Sequence, residues 1–285
     1  MHIETLLGKQ NPDGGWPYRR GKSWTEPTVY GVLSLLGEGE ADSARKGVRW
    51  LAAAQRRDGG WPPCAGIDES SWVTALVALI PREQLGAEAH RRAIDWLLDT
   101  TGEESSRVHR IREWLMGNPA SPEIASPGWP WVPGSAAWVG PTSLAILALA
   151  REHGERPSPA AATRIAEGRR FLMNRMCRGG GWNHGSVRAL GYEAEPYPET
   201  TGMALAALRG FARPRLQGSV SLARRFLGEC RSADALNWLR LGLGAHKQLP
   251  AGFRPPEGIE YRTTPEISLC LLAGAAEQGR NAFWE

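Results

Sequence analysis

Gln10-Asn11-Pro12-Asp13-Gly14-Gly15-Trp16-Pro17 returns 45 residues later as Gln55-Arg56-Arg57-Asp58-Gly59-Gly60-Trp61-Pro62. The pattern then decays into Pro127-Gly128-Trp129-Pro130-Trp131 and Gly180-Gly181-Trp182-Asn183. Self-similarity at such a period marks a repeat architecture, in which one supersecondary unit cannot bury its apolar surface alone. Amphipathic stretches carrying a bulky pair, Trp50-Leu51, Trp96-Leu97, Phe171-Leu172 and Phe226-Leu227, each read as a helix with one wet face. The turns are followed by threonine-led segments that are apolar nearly all round: Thr28 to Leu33, Thr74 to Leu79, Thr142 to Leu147 and Thr201 to Ala206, with weaker copies beginning near Ser232 and Thr264. These predict helices buried on every side. Five or six helical hairpins standing side by side, dry helices inward, satisfy both kinds of segment. In the turns a Gly-Gly pair supplies positive φ, Trp covers the junction with the next hairpin, and Gln and Asp are placed to cap helix ends.

The threonine marks lie 46, 68 and 59 residues apart. The surplus falls in 100–137, where a further helix is expected around Ser105–Met116 before a Pro/Gly/Trp-rich loop, and in the 184–198 loop. No domain boundary is visible, so residues 1–285 read as a single domain with an insertion at 100–137. A composition of 42% hydrophobic and 22% charged residues, without a run approaching ~18 consecutive apolar residues, excludes a disordered chain and a helical membrane span. The net charge of +4 comes from scattered basic pairs rather than a block, so nucleic acid is not an expected partner. Four cysteines, none in a Cys-x-x-Cys pair, fit reduced thiols. The opening Met1-His2-Ile3-Glu4-Thr5 carries no basic stretch followed by an apolar one, and the expected location is the cytoplasm.

The Gln-x-x-Asp-Gly-Gly-Trp turns and threonine-led helices, from about Leu6 to Ala276, resemble the repeats of the prenyltransferase and squalene cyclase superfamily. The resemblance implies an all-α fold, an α/α toroid of inner and outer helices with an apolar central cavity. Class II terpene cyclases of that superfamily protonate an alkene or epoxide with the middle Asp of Asp-x-Asp-Asp-Thr. Placing the family's Thr on this chain's repeating Thr puts that Asp on Glu26 in Trp24-Thr25-Glu26-Pro27-Thr28 and on Glu199 in Tyr197-Pro198-Glu199-Thr200-Thr201. The other two Asp positions hold Trp24 and Pro27, or Tyr197 and Thr200, so the usual supporting carboxylates are absent. The zinc-binding Asp-x-Cys of protein prenyltransferases has no counterpart, since Pro62, Arg175, Gly228 and Ser268 stand two residues before the four cysteines. No metal or other cofactor is expected.

Glu199 and Glu26 are therefore the candidate acids, Glu199 the stronger because Tyr192 and Tyr197 flank it with hydroxyls; the competing reading is that both complement a helix dipole. Asp68, Glu69 and Glu266 stand at comparable places and read as solvated caps. Asp13 and Asp58 belong to the turn motif, and Trp16, Trp61 and Trp182 to packing between hairpins. Trp24, Trp72, Trp138 and Tyr197 lie just ahead of the inner helices, where aromatic faces would line a cavity and favour a carbocation. His184 is placed to join Glu199; His90, His109, His153 and His246 lie in polar surroundings. Arg107, Arg110 and Arg112 read as a solvated basic face or a head-group site. Two functions follow: a terpenoid-cyclase-like enzyme acting by protonation on an isoprenoid, or a non-catalytic toroid binding a lipid or a partner. The expected partner is a hydrophobic small molecule, with a peripheral membrane contact left open.

Overall fold

A computed structural model describes residues 2–105, 115–116, 126–185, 188–189 and 192–284 of the chain. Arg107, His109, Arg110, Arg112 and most of the helix expected around Ser105–Met116 lie outside the described residues, as does the side chain of Tyr192.

Among the described residues six helices form a closed inner ring. These are α2 (Thr25–Gly37), α4 (Val73–Val77), α7 (Val139–Glu155), α9 (Pro198–Ala207), α11 (Ala233–Ala245) and α12 (Thr264–Glu277). Each packs on the next in this order, and α12 returns to α2. Outside them stand α1 (His2–Gly8), α3 (Ala41–Ala54), the short α5 (Arg82–Leu85) with α6 (Ala87–Asp99), α8 (Pro159–Asn174) and α10 (Arg213–Glu229). Among the described residues no outer helix stands between α11 and α12. The chain is an α/α toroid; its strands β1 (Arg188–Ala189) and β2 (Tyr192–Glu193) form one two-residue antiparallel pair in the loop before α9.

The burial patterns follow the sequence periods. In α2 every residue from Pro27 to Leu35 is buried, whereas α3 buries Ala44, Gly47, Val48 and Leu51, a single helical stripe. No helix among the described residues is long and apolar enough to cross a membrane.

One junction, built four times, ties inner helix to outer. The backbone N–H of Trp16 donates to Thr28 Oγ1 (2.9 Å) and its indole to Leu6 O (2.8 Å). Trp61 does the same with Thr74 (2.9 Å) and Leu51 (2.7 Å), Trp129 with Thr142 (2.9 Å) and Leu97 (2.8 Å), and Trp182 with Thr201 (3.1 Å) and Leu172 (2.6 Å). These tryptophans are 2% exposed or less. The leading threonine thus serves as the acceptor for the turn, and Trp locks the last carbonyls of the outer helix.

The remaining motif residues brace the turn. Asp13 accepts from Gly15 N (3.0 Å) and Ser23 Oγ (2.8 Å), and Asp58 from Gly60 N (3.1 Å) and Ser70 Oγ (2.8 Å). The glutamines do not cap helix N-termini. Gln10 Nε2 donates to Gly14 O and Ser43 O, both at 2.9 Å, and Gln55 Nε2 to Gly59 O (3.0 Å) and Ala89 O (2.9 Å), stapling each turn to the following outer helix. In these two copies positive φ belongs to the first glycine alone, at 94° in Gly14 and Gly59. The second is needed for space: a Cβ on Gly60 would lie 2.6 Å from Ser70 Cβ.

The rim closes by handing each inner helix to a neighbouring loop. Thr25 N and Oγ1 donate to Pro63 O (2.9 Å) and Pro62 O (2.6 Å). Trp72 N donates to Trp131 O and Val139 N to His184 O, both at 2.9 Å. Thr264 N and Oγ1 at the end of the chain donate to Tyr18 O (2.7 Å) and Pro17 O (2.6 Å) at its start.

Thr74→Val should destabilise the protein by roughly 1–3 kcal/mol in chemical denaturation, because it leaves the buried Trp61 N–H without an acceptor; Thr74→Ser should recover most of the loss. Gly60→Val should cost a similar ~1–3 kcal/mol by overpacking against Ser70. A melting temperature equal to the parent's for either Val variant would contradict this account of the junction.

Candidate active site

The N-terminal ends of the inner helices meet at one end of the ring, and three of them carry a carboxyl group at their second residue. Glu26 follows N-cap Trp24 in α2, Glu199 follows N-cap Tyr197 in α9, and Asp234 follows N-cap Ser232 in α11. Two of the three helices touch nearly backbone to backbone: a Cβ on Gly202 of α9 would lie 2.4 Å from the Trp238 carbonyl carbon of α11, and a Cβ on Gly242 would lie 2.4 Å from Gly202 O. Glycine at both positions brings Glu199 and Asp234 onto adjoining helix ends.

Carboxylates at a helix N-terminus are ordinarily favoured as anions. Here burial wins. It raises the Glu26 carboxyl to about 7, further supported by the nearby Glu199 charge and opposed by the Tyr18 hydroxyl, which donates to Glu26 Oε2. Burial lifts Asp234 well above the carboxylate range, and the charges of Glu199, Glu26 and Glu266 add to it. Glu199 is also raised by burial, with His184 pulling the other way. Burial and the neighbouring charges thus favour the protonated form of Glu26 and Asp234, and burial that of Glu199. Tyr30, one turn below Glu26 and 2% exposed, has its hydroxyl pushed well above its ordinary value by burial and then by Glu26, Asp234 and Glu199.

Aromatic side chains rim these acids. Tyr18 meets Trp24 edge-on at 5.6 Å, Trp72 meets Trp131 at 4.9 Å, and the His184 ring lies 5.2 Å from Tyr197 and 6.5 Å from Trp138. Tyr197 is 49% and Trp138 37% exposed, so this part of the mouth is open.

The structure thus brings Glu26, Glu199, Trp24, Trp72, Trp138, Tyr197 and His184 to one end of the toroid. Glu26 has a hydroxyl partner of its own: Tyr18, outside the expected set, donates to it. The other expected acids are accounted for by local bonding. Asp68 is exposed and pairs with Arg56. Glu266 closes a capping box, accepting from Thr263 N and Arg262 N, both at 2.7 Å. His90 and His246 are buried with polar partners: their Nε2 atoms lie 3.1 Å from Ala78 O and 2.8 Å from Leu205 O, and His90 Nδ1 lies 3.8 Å from Glu152 Oε2. All four cysteines are free thiols. Asp234, Tyr18, Tyr30 and Trp131 are the additions that sequence reasoning did not supply. Asp234 had a usable signal, since it stands two residues after Ser232 as Glu26 stands two after Trp24; Tyr18 had none, because its partner depends on the ring closing.

No known family profile matches the chain. In sequence it is similar to a probable squalene–hopene cyclase of Sinorhizobium fredii, 27% identical over 165 residues that cover 54% of this chain and 23% of the cyclase. The chain therefore spans under a quarter of the length of that curated relative. Among solved structures, an endo-β-1,4-glucanase from Acetobacter xylinum matches with a TM-score of 0.60 at 12% identity, covering 97% of each chain. A type II terpene cyclase from Scytonema, in complex with its substrate geranylgeranyl dihydroxybenzoate, matches at 0.53 and 15% identity, covering 96% of this chain and 80% of that one. A protein from Actinoplanes matches at 0.54 and 16% identity, covering 97% and 78%. The structural likenesses show the fold, and the sequence relative supports the resemblance to the squalene cyclase superfamily stated from the repeats.

Because Glu26 rises from 4.5 in its ordinary state to about 7 when folded, the native protein binds the extra proton between those values. Its contribution to stability is complete below about pH 4.5 and is lost as pH rises through about 7. The raised Glu199 and Asp234 act in the same direction. Urea midpoints should therefore fall between pH 5 and pH 8, and the fall should be smaller in Glu26→Gln. Equal falls in parent and variant would contradict the placement of Glu26.

Proposed function

We propose that the protein is a terpenoid-cyclase-like enzyme that starts the cyclisation or isomerisation of an isoprenoid by protonating an alkene or epoxide at the mouth of the toroid. The observation that supports the reading most is the set of three carboxyl groups at the second residue of three inner helices, all raised by burial, Glu26 to about 7 and Asp234 well above the carboxylate range. Such an acid is matched to proton donation.

On this reading Glu26 and Asp234 are the donors, and Glu199 is the neighbouring carboxyl whose charge helps to raise both. The proton leaves a carboxyl oxygen for the terminal alkene carbon, whose π electrons form the new C–H bond and leave a cation on the adjacent carbon. The next double bond of the chain closes on that cation. Loss of a proton to the carboxylate generated in the first step restores the acid, so the net reaction is an isomerisation. The faces of Trp24, Trp72, Trp138 and Tyr197 attract the passing positive charge, each offering about 1–2 kcal/mol where solvent is excluded. Tyr18, through its hydrogen bond, fixes the orientation of the Glu26 carboxyl.

The exposure of Trp138 and Tyr197 favours a second reading, in which the open aromatic mouth binds an apolar ligand without transforming it. The two part on one experiment. Farnesol, geranylgeraniol, squalene and their terminal epoxides are incubated with the protein and the products resolved by gas chromatography. Under the first reading Glu26→Gln and Asp234→Asn each lower turnover at least 100-fold, as loss of a general acid does, while ligand affinity and melting temperature stay near the parent's. Binding with no product from any of these substrates would favour the second reading.

A further inference from the structure

A cleft of about 730 Å³ opens on the outer wall between α8 and α10, and it shares no lining residue with the acids of the mouth. Among the described residues four arginines line it, Arg169, Arg170, Arg209 and Arg215, and no carboxylate does. The acidic residues of neighbouring helices are committed elsewhere: Glu167 pairs with Arg164 at 2.8 Å, and Glu155 lies against Arg151 and Arg156 at 3.6 and 3.7 Å. Arg169 is the innermost of the four. It spends one amino group on Arg209 O (3.1 Å), and its Nε is buried with no hydrogen-bond partner. Burial lowers its pKa with no carboxylate to compensate. A half-buried cation of this kind carries a desolvation cost that an anion would relieve. Phe211 and Met173 give the same cleft an apolar wall, and the N-terminus of α10, a 17-residue helix, borders it with the positive end of its dipole.

We propose that this cleft is a binding site for a phosphate or diphosphate ester, its anionic group held by Arg169 and Arg215 and its apolar part lying against Phe211 and Met173. Planar guanidinium forks suit phosphate oxygens, which they engage in pairs, and the volume lies within the usual range of ligand pockets, about 300–1,000 Å³. The site is separate from the carboxyl cluster and stands whether or not the protein is a cyclase. The phosphate can belong to a soluble ester or to an anionic lipid head group, and the cleft chemistry is the same for both.

The test titrates the full chain with inorganic pyrophosphate by calorimetry at low salt, and measures its sedimentation with phosphatidylglycerol and with phosphatidylcholine vesicles. The double variant Arg169→Gln/Arg215→Gln should weaken anion binding at least tenfold. The single exposed variant Arg215→Gln, which leaves the half-buried Arg169 in place, should weaken it severalfold and guards against loss of fold. Arg19→Gln/Arg20→Gln, away from the cleft at equal or greater change in net charge, should bind as the parent does. Pyrophosphate binding without vesicle binding identifies a soluble ester; cleft-dependent binding to phosphatidylglycerol alone identifies a lipid head group; either supports the site. Absence of both, or binding that the cleft variants leave unchanged, overturns it.

Discussion

The hydrogen bond from a tryptophan backbone N–H to the hydroxyl of a threonine one helix away is the contact on which the toroid depends. It joins a loop to the first turn of a helix with no polar surface, and the same tryptophan sends its indole N–H to the end of the outer helix. A buried donor left unpaired costs about 1–3 kcal/mol, so each junction fixes three segments against one another. The junction also survives decay of the surrounding motif. Trp129 and Trp182 make both bonds although Gln and Asp have disappeared from their turns, which separates the part of the repeat that holds the hairpin from the part that braces the turn.

Fixing the turns fixes what lies just beyond them. The inner helices start at a common rim, and in α2, α9 and α11 the residue two places after the N-cap stands at the mouth. Where that residue is Glu or Asp, the helix dipole would favour an anion, yet Glu26 and Asp234 are shifted the other way because burial and like charge outweigh the dipole. The same architecture that makes the fold stable thus gathers carboxyl groups into a poorly solvated place. Closure of the ring by Thr264 on Pro17 and Tyr18 has a direct chemical consequence, since Tyr18 is the residue that donates to Glu26.

The predicted loss of stability in Thr74→Val rests on features legible in the chain itself, because the Trp and the Thr repeat. The predicted effect of Asp234→Asn does not. A reading anchored on threonine reaches Glu26 and Glu199 but passes over α11, which contains no threonine, and ranks Glu199 first for its flanking tyrosines. Counting from the N-cap instead of the threonine finds Asp234. Nothing local finds Tyr18, whose eight-residue separation from Glu26 spans a loop, or Tyr30, which reads as one more buried aromatic.

The amino-acid sequence by itself determined the repeat, the division into wet and dry helices, and the presence of an acid at the start of two inner helices, because these follow from periodicity, glycine chemistry and hydrogen-bonding groups at short range. Only the tertiary structure decided which carboxyl groups share one environment and which cations are left without a counter-charge. Ionisation responds to every charge and every solvated surface within several ångströms, and the ring brings α2 to α9 and α11, which lie more than a hundred residues further along the chain.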